Sequence, residues 1–284
     1  MNISNAVLIR IIGLILALLW IVLLSFALPA EAVALSDGSL GFKWHDFLIA
    51  TKDPMYPFNV QVFMWIAFFY CLAELVIQWL YLSEEKLQLS LFNLYQNPNH
   101  VMVYTDQGEL QVHLDSNEVL KPEILAAIYY AKRKIIPEQS LIGGLFKKIN
   151  HQFQSTNDVG DVYSVLNAAI DLKLHDVDLR YTVIKYLAWL IPTLGFIGTV
   201  IGIAVALDQA GALGTQDPEL LSKVIPLLAT AFYTTLLALI LSAIIMILLQ
   251  LIQASDERVI NSASTFCMDH IVTNLKPKSQ QSLF

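Results

Sequence analysis

The sequence predicts an all-α polytopic membrane protein with four transmembrane helices, two of them extended into a cytoplasmic helical region that carries a small hairpin. Three observations predict it. First, 56% of the 284 residues are hydrophobic and only 14% are charged, where a soluble domain is nearer 25% charged; the mean hydropathy of +0.58 agrees. Second, four apolar runs are each long enough to cross a bilayer, for which ~20 residues suffice. Third, lysine and arginine concentrate in one long segment between the second and third runs, and positive charge marks the cytoplasmic side.

The first span is read within residues 1–33, from the run Ala6 to Leu28. Its Arg10 and the "AEA" at Ala30 to Ala32 resemble a secretory leader, but the apolar core exceeds the ~7–15 residues of a leader's h-region, so an uncleaved span is expected. An outer loop, 34–58, holds only Lys43 and Lys52. The second span, 59–82, contains Glu74 and Gln78, with Gln61 expected to be interfacial at its outer end. Tyr56 outside, and Trp79 and Tyr81 inside, suit aromatic belts.

The cytoplasmic region, 83–185, carries Lys86, Lys121, the Lys132-Arg133-Lys134 cluster, Lys147, Lys148, Lys173, Arg180 and Lys185. Within it "VMVYTDQGELQVHL", Val101 to Leu114, alternates about a D-Q-G turn and predicts a hairpin. "KPEILAAIYYAKRKII" predicts a helix with proline near its start. From about Asp158 the pattern is helical, with no Gly or Pro between Asp161 and Ile191, so one long helix is expected to run into the third span, 186–207. A short outer loop, 208–223, leads to the fourth span, 224–252, and a C-terminal helix and tail occupy 253–284. Both termini are expected in the cytoplasm.

Several function classes are disfavoured. The net charge is −7, which argues against a nucleic-acid partner. Cys71 and Cys267 lie far apart and form neither a disulfide framework nor a metal pair. The six histidines show no metal-binding spacing, and phosphate-loop and nucleophile-elbow patterns are absent. No enzyme, metal site or cofactor is expected.

The third span is unusual. "IPTLGFIGTVIGIAVALDQAG", Ile191 to Gly211, includes Pro192, Gly195, Gly198 and Gly202, although Gly and Pro cost roughly 1 and 3 kcal/mol in a helix relative to Ala. On a helix Gly195, Gly198 with Thr199, Gly202 and Ala206 share one face. Gly198 and Gly202 have the small-xxx-small spacing that lets membrane helices approach closely. The fourth span carries Thr230, Thr234, Ala238 and Ser242 at intervals of four, with Thr235 beside them. Two readings remain open for these faces: simple helix packing, or a shared lumen where hydroxyls meet water, an ion or a guest helix.

"IPTLGFIGTVIGI" resembles the signature of the MotA/TolQ/ExbB proton-channel family, a proline followed by G-[LF]-x-G-T-V-x-G-I. Pro192, Gly195, Gly198, Thr199, Val200, Gly202 and Ile203 fit it. "PLLATAFYTTLLAL" resembles the family's second signature, A-L-x-A-T-A, through Leu228, Ala229, Thr230 and Ala231. The resemblance is strong from about Arg180 to Glu257 and topological over the first two spans.

The resemblance implies an ion-conducting inner-membrane subunit of an energy-transducing motor. It implies a homopentamer around a dimer of a single-span MotB/TolR/ExbD-like partner that carries a membrane aspartate, all embedded in lipid. H⁺, or alternatively Na⁺, would be transported. Thr199, Thr230 and Thr234 would line the ion pathway. Gly195, Gly198, Gly202, Ala238 and Ser242 would form the partner-helix and lumen wall. Glu74 is a possible intramembrane acidic site, because an ionisable group in a span is costly. This chain departs from the TolQ/ExbB branch in having Ile225, followed by Pro226, where that branch has Glu five residues before the threonine. That departure motivates an alternative: a non-conducting scaffold of the same fold.

Overall fold

A computed structural model of the chain describes residues 3–27, 44–50, 59–93, 100–104, 110–114, 140–156, 158–213, 220–270 and 272. Its elements are α1 (Ile3–Ala27), α2 (Trp44–Leu48), α3 (Val60–Asn93), β1 (His100–Tyr104), β2 (Leu110–Leu114), α4 (Leu141–Thr156), α5 (Val159–Leu213) and α6 (Leu220–His270). Four of them, α1, α3, α5 and α6, are long and apolar enough to span a membrane. The protein is therefore a multi-pass, helical membrane protein, as the hydropathy pattern predicts.

The two longest helices run uninterrupted from polar sequence into apolar sequence. α5 has 55 residues and α6 has 51, each more than twice the ~20 needed to cross. Helix continues through residues 208–213 and 220–223, where the sequence reading placed an outer loop. Pro192 lies inside α5 and Pro226 inside α6. β1 and β2 pair antiparallel, with Val101 opposite His113 and Tyr104 opposite Leu110. This is the hairpin the alternation predicts. Its D-Q-G turn, the "KPEILAAIYYAKRKII" segment, Tyr56 and the Lys132-Arg133-Lys134 cluster lie outside the described residues.

The chain divides into two compact units. One comprises Met1–Gln78 with Tyr181–Ile252. In it α1 lies on α3 at a glycine contact: a Cβ on Gly13 would come 2.7 Å from the Cβ of Ala73. Trp20 of α1 stacks edge-on against Trp65 of α3, with ring centroids 5.6 Å apart, and also meets Phe69. Within this pair of helices Arg10 and Glu74 form an ion pair. Arg10 Nε donates to Glu74 Oε1 at 2.6 Å and Nη2 donates to Oε2 at 3.3 Å. The Glu74 side chain is 9% exposed and that of Arg10 is 43% exposed.

The start of α3 is built on side-chain caps. Asn59 Oδ1 accepts from Val62 N at 3.1 Å, satisfying one of the unpaired amides of the first turn. Its Nδ2 donates to Ala50 O. Gln61, expected at an interface with water, is instead 1% exposed. Its Oε1 accepts from Ala50 N, and its Nε2 donates to the carbonyls of Asp46 and Phe47. Trp65 Nε1 donates to Leu48 O. These side chains consume backbone groups that the five-residue α2 cannot pair within itself. Phe47 then meets Tyr233 of α6 edge-on, at 6.1 Å between centroids.

The second unit comprises Trp79–Arg180 with Gln253–Phe284. The sequence reading did not single out α4. Leu141, Ile142, Leu145 and Ile149 recur at helical spacing along it and are buried, as are Val162, Leu166, Ala169 and Ile170 of α5 and Ile260, Ala263, Phe266 and Cys267 of α6. Ser140 Oγ caps α4 by accepting from Gly143 N, and Glu85 Oε2 from α3 accepts from Leu141 N at 3.1 Å. Arg180 of α5 pairs with the buried Asp256 of α6 at 3.0 Å and lies 4.7 Å from the ring centroid of Tyr81.

Replacing Arg10 with Leu leaves Glu74 buried without its counter-charge. The expected loss of stability is about 3 kcal/mol. Replacing both Arg10 and Glu74 with Leu removes both charges, and most of that loss is expected to return. Denaturation of the purified protein in detergent measures both variants. Equal losses in the single and double variants would contradict the pairing.

Candidate functional site

Apart from Thr230, the small and hydroxyl residues singled out in the third and fourth spans meet along one seam between α5 and α6. At three points the α5 backbone comes so close to α6 that no side chain fits. A Cβ on Gly195 would collide with the Cβ of Ala238 and lie 3.2 Å from the carbonyl oxygen of Thr234. On Gly198 it would lie 2.8 Å from Thr234 Oγ1, and on Gly202 it would lie 2.6 Å from the Cβ of Ala231. Close approach of this kind replaces the hydrophobic drive that is missing between helices in lipid. Gly195, Gly198 and Ala238 are buried there.

Hydroxyls stitch the seam. Thr199 Oγ1 lies 3.1 Å from Gly195 O, 3.2 Å from Ala231 O and in hydrogen-bond contact with Thr235 Oγ1. The buried Thr234 Oγ1 donates to Ala231 O at 2.7 Å and lies 3.4 Å from Gly195 O. Thr235 Oγ1 lies 3.5 Å from Gly195 O. Three hydroxyls and the carbonyls of Gly195 and Ala231 thus form one oxygen-rich cluster at a single level of the helix pair. Ser242 Oγ donates to Ala188 O at 2.9 Å.

Thr230 stands apart. Its hydroxyl donates to Pro226 O of its own helix at 3.0 Å on a more open side of α6. The geometry of a helix explains why. Steps of four residues rotate about 400°, so the row 230, 234, 238, 242 drifts by about 40° at each step. The row in contact with α5 is Ala231, Thr234 with Thr235, Ala238 and Ser242, whose mean step lies nearer 3.6. Ala231 replaces Thr230 at the head of the stripe.

The sequence left packing and a shared lumen both open for the two small faces, and the family resemblance pointed to the lumen. In the structure they pack against each other within one chain. The large residues Phe196, Val200 and Leu207 of α5 and Phe232, Leu236 and Leu239 of α6 are exposed. Glu74 does not join the seam residues; it is engaged by Arg10. Sequence reasoning missed three residues here. Arg10 was read only as an N-terminal positive charge. Ala231 was hidden by the spacing of four. Ala188 contributes only its carbonyl, and the signal for it was Pro192, which lacks the amide that would normally bond the carbonyl four residues earlier.

Fold and seam define a class: a four-span helical membrane protein whose last two spans associate through glycine contacts and hydroxyl bonds. Residues 138–265 match the model of the MotA/TolQ/ExbB proton channel family. The match covers α4, α5 and α6 almost to its end, and so includes the whole seam. No curated relative and no solved structure matches the chain.

Gly195→Ala is expected to destabilise the folded protein by about 1–3 kcal/mol through overpacking. Adding Ala238→Gly removes the methyl that collides and is expected to restore part of the loss, since Thr234 O and Thr235 Cα still crowd the new Cβ. Thermal unfolding of the three variants in one detergent checks the coupling; strictly additive losses would count against the seam.

Proposed function

We propose that the chain is the ion-conducting subunit of an inner-membrane motor, converting an ion gradient into mechanical work. In this reading five copies surround two copies of a single-span partner that carries an aspartate in its span. Both termini and residues 83–185 lie in the cytoplasm. The observation that carries the reading is the family match over 138–265, joined to the intact seam that the match contains.

The charge inventory supports it. The runs Tyr186 to Leu207 and Val224 to Ile252 contain no Asp or Glu. The acid of the second span, Glu74, already has a counter-charge in Arg10. An ion relay based on a carboxylate therefore has to take its acid from another chain. Protons are the favoured ion, and sodium is the alternative.

The seam narrows the roles of the threonines. Thr199, Thr234 and Thr235 are bonded between α5 and α6, whereas Thr230 lies at the edge and bonds only within its own turn among the contacts described. Thr230 is therefore assigned the direct contact with ion or partner. Thr199 and Thr234 act from the seam behind it, with Gly195, Gly198, Gly202, Ala238 and Ser242 as the support of the wall. The second reading, a non-conducting scaffold, draws on the packing of both small faces against each other and on Ile225 at the position of the TolQ/ExbB glutamate.

Thr230→Val is expected to abolish ion-coupled output while the complex still assembles, because valine keeps the shape and removes the hydroxyl. Ion flux into vesicles holding the chain and its co-purified partner, measured with Na⁺ exchanged for K⁺ at fixed pH, reports both conduction and the ion. Normal flux in Thr230→Val removes the assigned role. A purified complex with no Asp-bearing single-span partner and no flux favours the scaffold.

A further inference from the structure

Pro192 sits deep inside α5. It has no amide hydrogen, so the carbonyl four residues earlier, that of Ala188, loses its intrahelical donor. Ala188 is 1% exposed, so water is not at hand to replace the bond. In hydrocarbon, a proline inside a spanning helix is tolerated when a neighbouring helix or a Ser/Thr side chain satisfies the freed group. Here the donor comes from the other side of the seam: Ser242 Oγ of α6 lies 2.9 Å from Ala188 O. The next carbonyl, that of Trp189, receives the hydroxyl of Thr193 at 3.1 Å.

We propose that Ser242 is a positioning residue that latches the proline break of α5 to α6, by supplying the hydrogen bond that Pro192 removes from Ala188. The latch fixes the pair about two turns before Gly195 on α5 and one turn beyond Ala238 on α6, at the edge of the close contacts and the threonine cluster. Ser242 thereby sets the register in which Gly195 meets Ala238 and Thr199 meets Thr235. When the bond opens, the Ala188 carbonyl is left without a donor and α5 is free to bend at Pro192. The break is thus a hinge held shut by one hydroxyl. Pro226 differs: it lies in the second turn of α6 and is exposed, where water reaches the helix end.

The test is a double-mutant cycle on the full-length chain purified in detergent, and it does not depend on whether the chain conducts ions. Ser242→Ala in the native background is expected to shift the unfolding equilibrium by about three- to tenfold, within the range measured for hydrogen bonds between membrane helices. In the Pro192→Ala background residue 192 regains its amide and bonds Ala188 O itself, so Ser242→Ala is expected to shift the equilibrium less than twofold. Ser242→Thr keeps the hydroxyl and is expected to stay near the native value. Amide hydrogen exchange across residues 186–196 is expected to rise in Ser242→Ala and to fall back when Pro192→Ala is added. Equal shifts in both backgrounds would overturn the latch and leave Ser242 as a packing residue. Unchanged exchange in Ser242→Ala would overturn the hinge.

Discussion

The constraint on which the rest of this structure depends is the absence of water between spans. Every backbone or side-chain polar group held there must find its partner within the protein. The chain meets that requirement in four places within one unit. Glu74 is answered by Arg10. The backbone of the short α2 is answered by Gln61, Asn59 and Trp65. The carbonyl freed by Pro192 is answered by Ser242. The threonines of α5 and α6 are answered by each other and by the carbonyls of Gly195 and Ala231. Three of these answers join segments far apart in sequence and the α2 contacts join neighbouring ones, so meeting the polar requirement also fixes much of the tertiary arrangement.

The seam shows how the requirement and the packing reinforce one another. Threonine hydroxyls reach across to a second helix only if the backbones are near. The glycines make them near: Gly195, Gly198 and Gly202 remove the atoms that would hold α6 away. Conversely, close helices in lipid gain little from apolar burial alone, so the hydroxyl bonds add attraction where the hydrophobic effect is weak. A rigid pair of this kind is a suitable wall for a pathway. Its inner contacts are consumed in holding shape, and in the proposed function its edge residues are the ones left for ion or partner.

Much of this was legible in the sequence. Spans show themselves because ~20 apolar residues are required to cross, and the continuity of α5 showed itself in the lack of Gly and Pro before Ile191. The small faces were equally visible. What they face was not, because a helical wheel gives direction about one axis and says nothing of the neighbour placed there. Thr230 was assigned to the stripe because a spacing of four looks like a face over one step and drifts off it over three. Arg10 and Glu74 are 64 residues apart, and each was read on its own, Arg10 as the charge of a leader-like N-terminus and Glu74 as an acidic site within its span. Gln61 near a span end suggested water, and only the fold of the chain before it supplied carbonyls to bind instead.

The charges then limit what this chain can do alone. A carboxylate that carries ions through a membrane has to exchange partners during the cycle. Glu74, gripped through both oxygens by a guanidinium that stays charged at any physiological pH, is poorly suited to that exchange. The apolar runs of the third and fourth spans offer hydroxyls and carbonyls but no acid. Hydroxyls can pass a proton or coordinate a cation only transiently, since none of them holds a charge of its own. In the proposed function the seam would thus be half of a relay, a wall and a set of oxygen ligands without the group that binds and releases the ion. The physical reason to look for an acidic partner helix is this missing charge, and it stands independently of the family match.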